Sequence, residues 1–274
     1  TMYNVYNLVV GVTVALTCMT VKEETIPRED VDVESNDRHC KMKLPGSTLL
    51  EILYSSFTTP IPAEKIWSAY TLSPRDHGDF FWVTVSRMFY YMGISVQAFF
   101  LYFIHDTFTT DKPEDIVDKL ALLGQIMGLI SCYPIGVLSD FTQQRKIFVY
   151  LSCVVLTGGI TGLLLCSNIP SLMVVVGCLG AGNGMYLTMD TSLAVDTLPK
   201  NGQEAAQLLG IWGVAGFLGS AVGPVLGGPI LYYFGSGAEE PLYYSRLGYV
   251  VLLGVSGLYF ALSAKVLIWV KGTN

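Results

Sequence analysis

Residues 147–192 read IFVYLSCVVLTGGITGLLLCSNIPSLMVVVGCLGAGNGMYLTMDTS, with no Lys, Arg or Glu and a single Asp, Asp190. A helix needs about 20 mostly apolar residues to cross a bilayer. This stretch supplies two in succession, Ile147–Ser167 and Ser171–Val195. Working outward, Tyr3–Val21, Phe80–Ile104, Ile116–Leu138, Ala205–Phe234 and Tyr244–Val270 qualify as well. The composition of all 274 residues agrees: 51% are hydrophobic, 14% are charged, and the mean hydropathy is +0.49. A water-soluble domain carries about a quarter of its residues as charges, so a soluble enzyme, a nucleic-acid-binding protein and a disordered chain are excluded. Gly (28) and Pro (12) are too frequent for a coiled coil, whereas membrane helices tolerate both. The fold class this predicts is an all-α polytopic membrane protein with seven transmembrane helices.

Charge gathers where the apolar stretches are not. Residues 22–79 carry nearly half of it. Within this loop Thr48-Leu49-Leu50-Glu51 has the spacing of a capping box, followed by Ile52, Leu53, Tyr54 and Phe57. That pattern reads as a short amphipathic helix, either on the membrane surface or as an exposed linker without a partner. Pro60, Pro62 and Pro74 break any continuation.

Cations set the orientation. With the long loop cytoplasmic, alternation puts Lys22, Arg28, Arg38, Lys41, Lys43, Lys65, Arg75, Arg145, Lys146, Lys200, Lys265 and Lys271 inside, and Lys112, Lys119 and Arg246 outside. The loop and the C-terminus are therefore expected to be cytoplasmic, with the plasma membrane as the default location. The first span does not read as a signal peptide, because it lacks a basic leader and runs into Val21-Lys22-Glu23-Glu24 without a small-residue cleavage site. The expected division is 1–21 as the last transmembrane helix of an N-terminal half, 22–79 as the central loop, and 80–271 as a C-terminal six-helix bundle. This plan matches the second half of a 12-helix transporter built from two six-helix repeats. The N-terminal bundle is then a missing partner, beside the lipid bilayer itself.

Two charges lie within the spans. Arg87 stands about seven residues into its helix and Asp190 about five from the end of its own, each roughly 8–10 Å deep at 1.5 Å per residue. A lone charge at that depth costs several kcal/mol. An Arg87–Asp190 pair offsets much of the cost; snorkelling of each to the near interface is the alternative. Helical spacing places Tyr90, Ile94 and Gln97 with Arg87 on one stripe, and Asn183, Tyr186 and Asp190 on another, with Gln125 near mid-span on the next helix. These amides and phenols suit either the hydroxyls of a small solute or hydrogen bonds between helices.

The turn after the third span reads Gly136-Val137-Leu138-Ser139-Asp140-Phe141-Thr142-Gln143-Gln144-Arg145-Lys146. Gly136 would permit a tight helix exit, Asp140 would favour the positive N-terminal end of a neighbouring helix, and Arg145 with Lys146 would hold the turn at the inner surface. The cluster is a latch between helices or a solvated turn. Gly136-x-Leu138-x-Asp140 with Arg145-Lys146 resembles the loop motif of the major facilitator superfamily in its second copy, between helices eight and nine, with Phe141 in place of the usual basic residue and Gln143 in place of the second glycine.

Further motifs carry the likeness. Residues 79–93 (DFFWVTVSRMFYYMG) and 97–106 (QAFFLYFIHD) resemble helix seven of the sucrose-transporter-like branch. Gly180-x-Gly182-x-Gly184-x-Tyr186 with Asp190, Leu193 and Asp196-Thr197-Leu198-Pro199 resembles its helix ten and following turn. The resemblance makes the chain helices 6–12 of a major facilitator fold and implies a secondary active carrier, for a sugar or related small solute, with proton coupling and alternating access. Gly219-x-x-x-Gly223-Pro224-x-x-Gly227-Gly228 looks like the antiporter motif of the superfamily, displaced from helix five to helix eleven. It is read here as helix packing and bending.

No cofactor, metal site or catalytic residue is expected. His39, His77 and His105 are far apart, no GxxxxGK[ST] loop occurs, and Gly180-Ala181-Gly182-Asn183-Gly184 follows no strand. The cysteines lack CxxC spacing. Two other functions stay open: a non-transporting membrane scaffold with a half-transporter fold, and a drug or organic-ion exporter of the same superfamily.

Overall fold

The structure, a computed structural model, describes residues 77–108, 112–199, 202–236 and 244–271. The expected span Tyr3–Val21, the amphipathic helix after Thr48 and most of the 22–79 loop lie outside the described residues. Among the described residues six helices are long and apolar enough to cross a membrane. The chain runs α1 (Gly78–Ile94), a 3-10 segment (Ser95–Phe99), α2 (Phe100–Thr107), α3 (Pro113–Thr142), α4 (Arg145–Leu165), α5 (Ile169–Asp196), α6 (Gly202–Gly235), α7 (Arg246–Val266) and a closing 3-10 turn (Leu267–Trp269). The first span is α1, the 3-10 segment and α2 together, Gly78–Thr107.

Most spans are longer than their apolar stretches, because the polar residues at their ends serve the helix. α3 starts on Pro113, whose missing N–H costs nothing at a first turn, with Glu114 and Asp115 beside the positive end of the helix dipole. α5 starts where the Asn168 side chain accepts the Ser171 N–H at 2.9 Å. The exit of α3 corrects the expectation for Gly136. That residue sits inside the helix, which continues to Thr142, and no described glycine has a positive φ. The turn is made instead by Gln143 at φ 57°, its N–H bonded to the Ser139 carbonyl at 2.8 Å and its side-chain amide to the Asp140 carbonyl at 2.7 Å.

The first span also departs from a continuous helix. Ser95 Oγ donates to the Met92 carbonyl at 2.6 Å, and Ser256 of α7 donates to the Gly93 carbonyl at 2.8 Å. Hydroxyls thus take up backbone carbonyls where the tighter 3-10 winding begins, without any proline.

Two groups of helices share the interior. α5 packs along α3 and α4, while α1 packs along α6 and α7; α7 also packs on α4 and closes the bundle. The outward surface carries large apolar side chains, with Leu129, Tyr133 and Phe217 each about three-quarters or more exposed. A soluble protein would hide them; a bilayer solvates them.

Candidate functional site

α1 and α5 touch sparsely through their backbones, and a column of polar side chains bridges them. At its base Arg87 Nη1 donates to Asp190 Oδ2 at 2.5 Å, with the side chains only 11% and 3% exposed. The guanidinium lies 3.4 Å over the ring of Trp212 on α6 and 4.8 Å from that of Tyr91, and Nη2 donates to the Tyr91 hydroxyl at 3.2 Å. Gly216 leaves room for this stack: a Cβ there would stand 3.2 Å from Arg87 Nε and from the Tyr91 ring. Arg87 Nε and Trp212 Nε1 are buried without a hydrogen-bond partner. A buried charge pair is costly to break from one side, because the remaining charge is stranded.

One turn on, the Tyr90 hydroxyl donates to Asn183 Oδ1, and the Tyr90 ring lies flat on that of Tyr186, centroids 3.7 Å apart. Ser86 Oγ donates to the Ser263 carbonyl at 3.0 Å and lies 2.9 Å from Ser263 Oγ, with the Tyr186 hydroxyl 3.3 Å from the latter. These bonds join α1, α5 and α7 in one buried network. Tyr90 and Tyr186 are fully enclosed and engaged with each other and with these partners, so the expected polar stripes divide. Arg87, Tyr90, Tyr186 and Asp190 belong to the column; Gln97, Gln125 and Asn183 line a cavity of about 240 Å³ between α1, α2, α3, α4, α5 and α7. Asn183 belongs to both.

The end of the bundle that carries Arg145 is tied by a second set of contacts. Arg145 Nη1 donates to Asp196 Oδ2 at 2.8 Å and to the Ser192 carbonyl at 2.9 Å; Asp140 is 3.8 Å from Arg145 and mostly exposed. Lys146 Nζ reaches the Val270 carbonyl at 2.6 Å, and the Lys271 N–H donates to Asp79 at 2.8 Å. His77 meets Glu204 at 2.8 Å. The turn therefore binds the ends of α5 and of the last span more than it binds Asp140. At the other end Asp106 Oδ2 accepts the Tyr249 hydroxyl at 2.5 Å and the Tyr244 N–H at 3.0 Å, fastening α2 to the start of α7.

The glycines of α6 seat it on the first span. A Cβ on Gly219 would fall on the Met88 carbonyl oxygen, one on Gly223 on Ser95 Oγ, and one on Gly227 at 2.7 Å from the Phe99 ring. Gly228 faces open space, and Pro224 lies inside the helix. A tighter seam escaped the sequence reading. Gly180 and Gly184 of α5 press on Gly124 and Gly128 of α3, so that a Cβ on either α5 glycine would fall on a carbonyl oxygen across the seam. Its signal was present as two pairs of glycines at four-residue spacing. Trp212 and Asp106 were missed too. Nothing in the sequence brings Trp212 over Arg87, whereas Asp106 stood at the end of a quoted motif.

The family model of the Major Facilitator Superfamily matches residues 83–273, well over half of the chain. The chain belongs to the Major Facilitator Superfamily. It is accordingly an integral multi-pass membrane protein and a secondary transporter of small solutes. Comparison with curated proteins returns no match.

Proposed function

We propose that this superfamily member carries a sugar or related small solute by alternating access, coupled to protons, with the Arg87–Asp190 pair as the element that distinguishes its states. One observation carries the reading: a buried ion pair, 2.5 Å long, joins two helices that otherwise meet through few backbone contacts. Such a pair is a two-state device, because it is either closed with both charges matched or open with both hydrated. Proton binding at Asp190 removes the charge that holds Arg87. Arg87 and Tyr90 on α1, Tyr186 on α5 and Cys153 on α4 are the ionisable groups around it. Two buried donors without partners, Arg87 Nε and Trp212 Nε1, disfavour the closed arrangement and so leave it within reach of release. The resemblance of residues 79–106 to helix seven of sucrose-transporter-like proteins supports the sugar. The N-terminal bundle supplies the other lobe, with the 22–79 loop and C-terminus cytoplasmic.

The test is uptake by the full-length protein in proteoliposomes, across a panel of labelled sugars, with and without a pH gradient. Asp190→Asn is expected to abolish the acceleration by the gradient while solute exchange at equal pH persists. Unchanged coupling and rate would remove Asp190 from the mechanism. The exporter reading gains one observation, the apolar wall of the cavity, and uptake of neutral aromatic drugs in the same panel would favour it.

A further inference from the structure

We propose that the cavity between α1, α2, α3, α4, α5 and α7 is a binding site for a neutral, ring-bearing and largely apolar molecule with a hydrogen-bonding group at one end. This goes beyond the carrier reading, whose sugar carries hydroxyls around its whole edge and needs more polar partners than this lining offers. The cavity has a volume of about 240 Å³, just below the range of about 300–1,000 Å³ common for small-molecule sites. Its lining contains no Asp, Glu, Lys, Arg or His. An ionised ligand would therefore enter without a counter-charge, at a prohibitive desolvation cost.

Phe99, Phe100, Phe103 and Tyr249 supply flat walls, with the Phe103 and Tyr249 rings edge to face at 5.4 Å. Such walls suit a planar ring better than a flexible acyl chain. Polar recognition comes from three amides, since the Tyr249 hydroxyl is held by Asp106. Among the described residues neither Gln97 nor Gln125 makes a side-chain hydrogen bond. Asn183 has its oxygen engaged by Tyr90 and its amino group free to donate. Two uncommitted amides and one half-committed amide in the lining of an apolar hollow form the pattern of a pocket that orients a ligand by a few polar contacts.

The 3-10 segment creates the opening. It carries Val96, Gln97 and Phe99 onto the wall, and Gly124 adds no side chain to fill the space. Asn183 also joins the hollow to the buried column: its oxygen holds Tyr90 while its amino group is left for an occupant.

Photolabelling of the full chain in lipid nanodiscs, with a trifluoromethyl-diazirine derivative of benzyl alcohol, tests the site directly. The expected result is saturable labelling within residues 99–103 and 117–125 that 2-naphthol removes and neither glucose nor 2-naphthoate removes. Ala121→Phe, which adds a ring to the wall, is expected to abolish the displaceable fraction. Gln125→Leu gives up no hydrogen bond of the fold and is expected to weaken naphthol competition roughly three- to tenfold. Labelling that 2-naphthol leaves unchanged would mean an acyl chain or bare surface and would overturn the proposal. Displacement by glucose would make the hollow the sugar site and overturn it equally, as would full competition in both variants. These readouts are independent of transport, so loss of proton coupling in Asp190→Asn speaks only to the carrier reading.

Discussion

The α3–α5 and α1–α5 seams share one helix and are built from different materials. Across the first, glycines bring main chain against main chain: Gly180 meets the Gly124 carbonyl and Gly184 the Gly128 carbonyl, with Ser131 Oγ reaching the Ala181 carbonyl at 2.8 Å. Across the second, the backbones stay apart and side chains span the gap. In lipid the first seam gains dispersion and weak polar contacts only while the helices remain at one distance. The second can open and reclose by exchanging partners. A rigid pair and an adjustable one thus meet on α5, and Arg87, Tyr90, Tyr186 and Asp190 all lie on the adjustable side.

Substitutions that respect one seam and offend the other put this contrast at risk. The largest effect is expected from Gly180→Leu, which should leave no monodisperse protein by size-exclusion chromatography in mild detergent. Gly180→Ala should cost about 1–3 kcal/mol by thermal unfolding, since the obstacle is backbone and cannot turn aside. Asp190→Ala is expected to cost about 3–5 kcal/mol, more than Gly180→Ala, by stranding Arg87. The paired change Arg87→Met with Asp190→Leu should recover most of that stability without restoring proton coupling. Recovery would confirm that the adjustable seam can be rebuilt from other side chains; failure would make it as exacting as the glycine seam. Tyr90→Phe removes one bond to Asn183 and should cost about 0.6–2 kcal/mol. Gly228→Ala makes the same chemical change as Gly180→Ala where nothing stands within 4 Å, and its stability by thermal unfolding should change by less than about 0.5 kcal/mol.

The spans were legible because hydrocarbon leaves no choice: a segment crossing it must be apolar for about 20 residues. Their ends were less so, since Glu114 and Asp115 read as loop residues although they serve the first turn of α3. The 3-10 segment left no trace, because it depends on Ser256 arriving from α7 rather than on a proline nearby. Of the candidate site, Arg87 and Asp190 stood out because charge in lipid is rare. Which phenols would be enclosed and which amides would face a hollow depends on how α1 turns after Ile94. Likewise Arg145 was visible as a cation of the turn, but its partner Asp196 lies on another helix and is fixed only by packing.

The change of winding at Ser95–Phe99 gives the first span a property that a straight rod lacks. A 3-10 residue rises about 2.0 Å and turns about 120°, an α-helical one about 1.5 Å and 100°. Rewinding these five residues as α-helix would shorten the span by about 2.5 Å and rotate α2 by about 100°. Asp106, clasped by Tyr249 and Tyr244, would then have to let go or pull α7 along with it. Such a segment would act as a screw thread, turning a local exchange of hydrogen bonds into a twist at the far rim of the bundle.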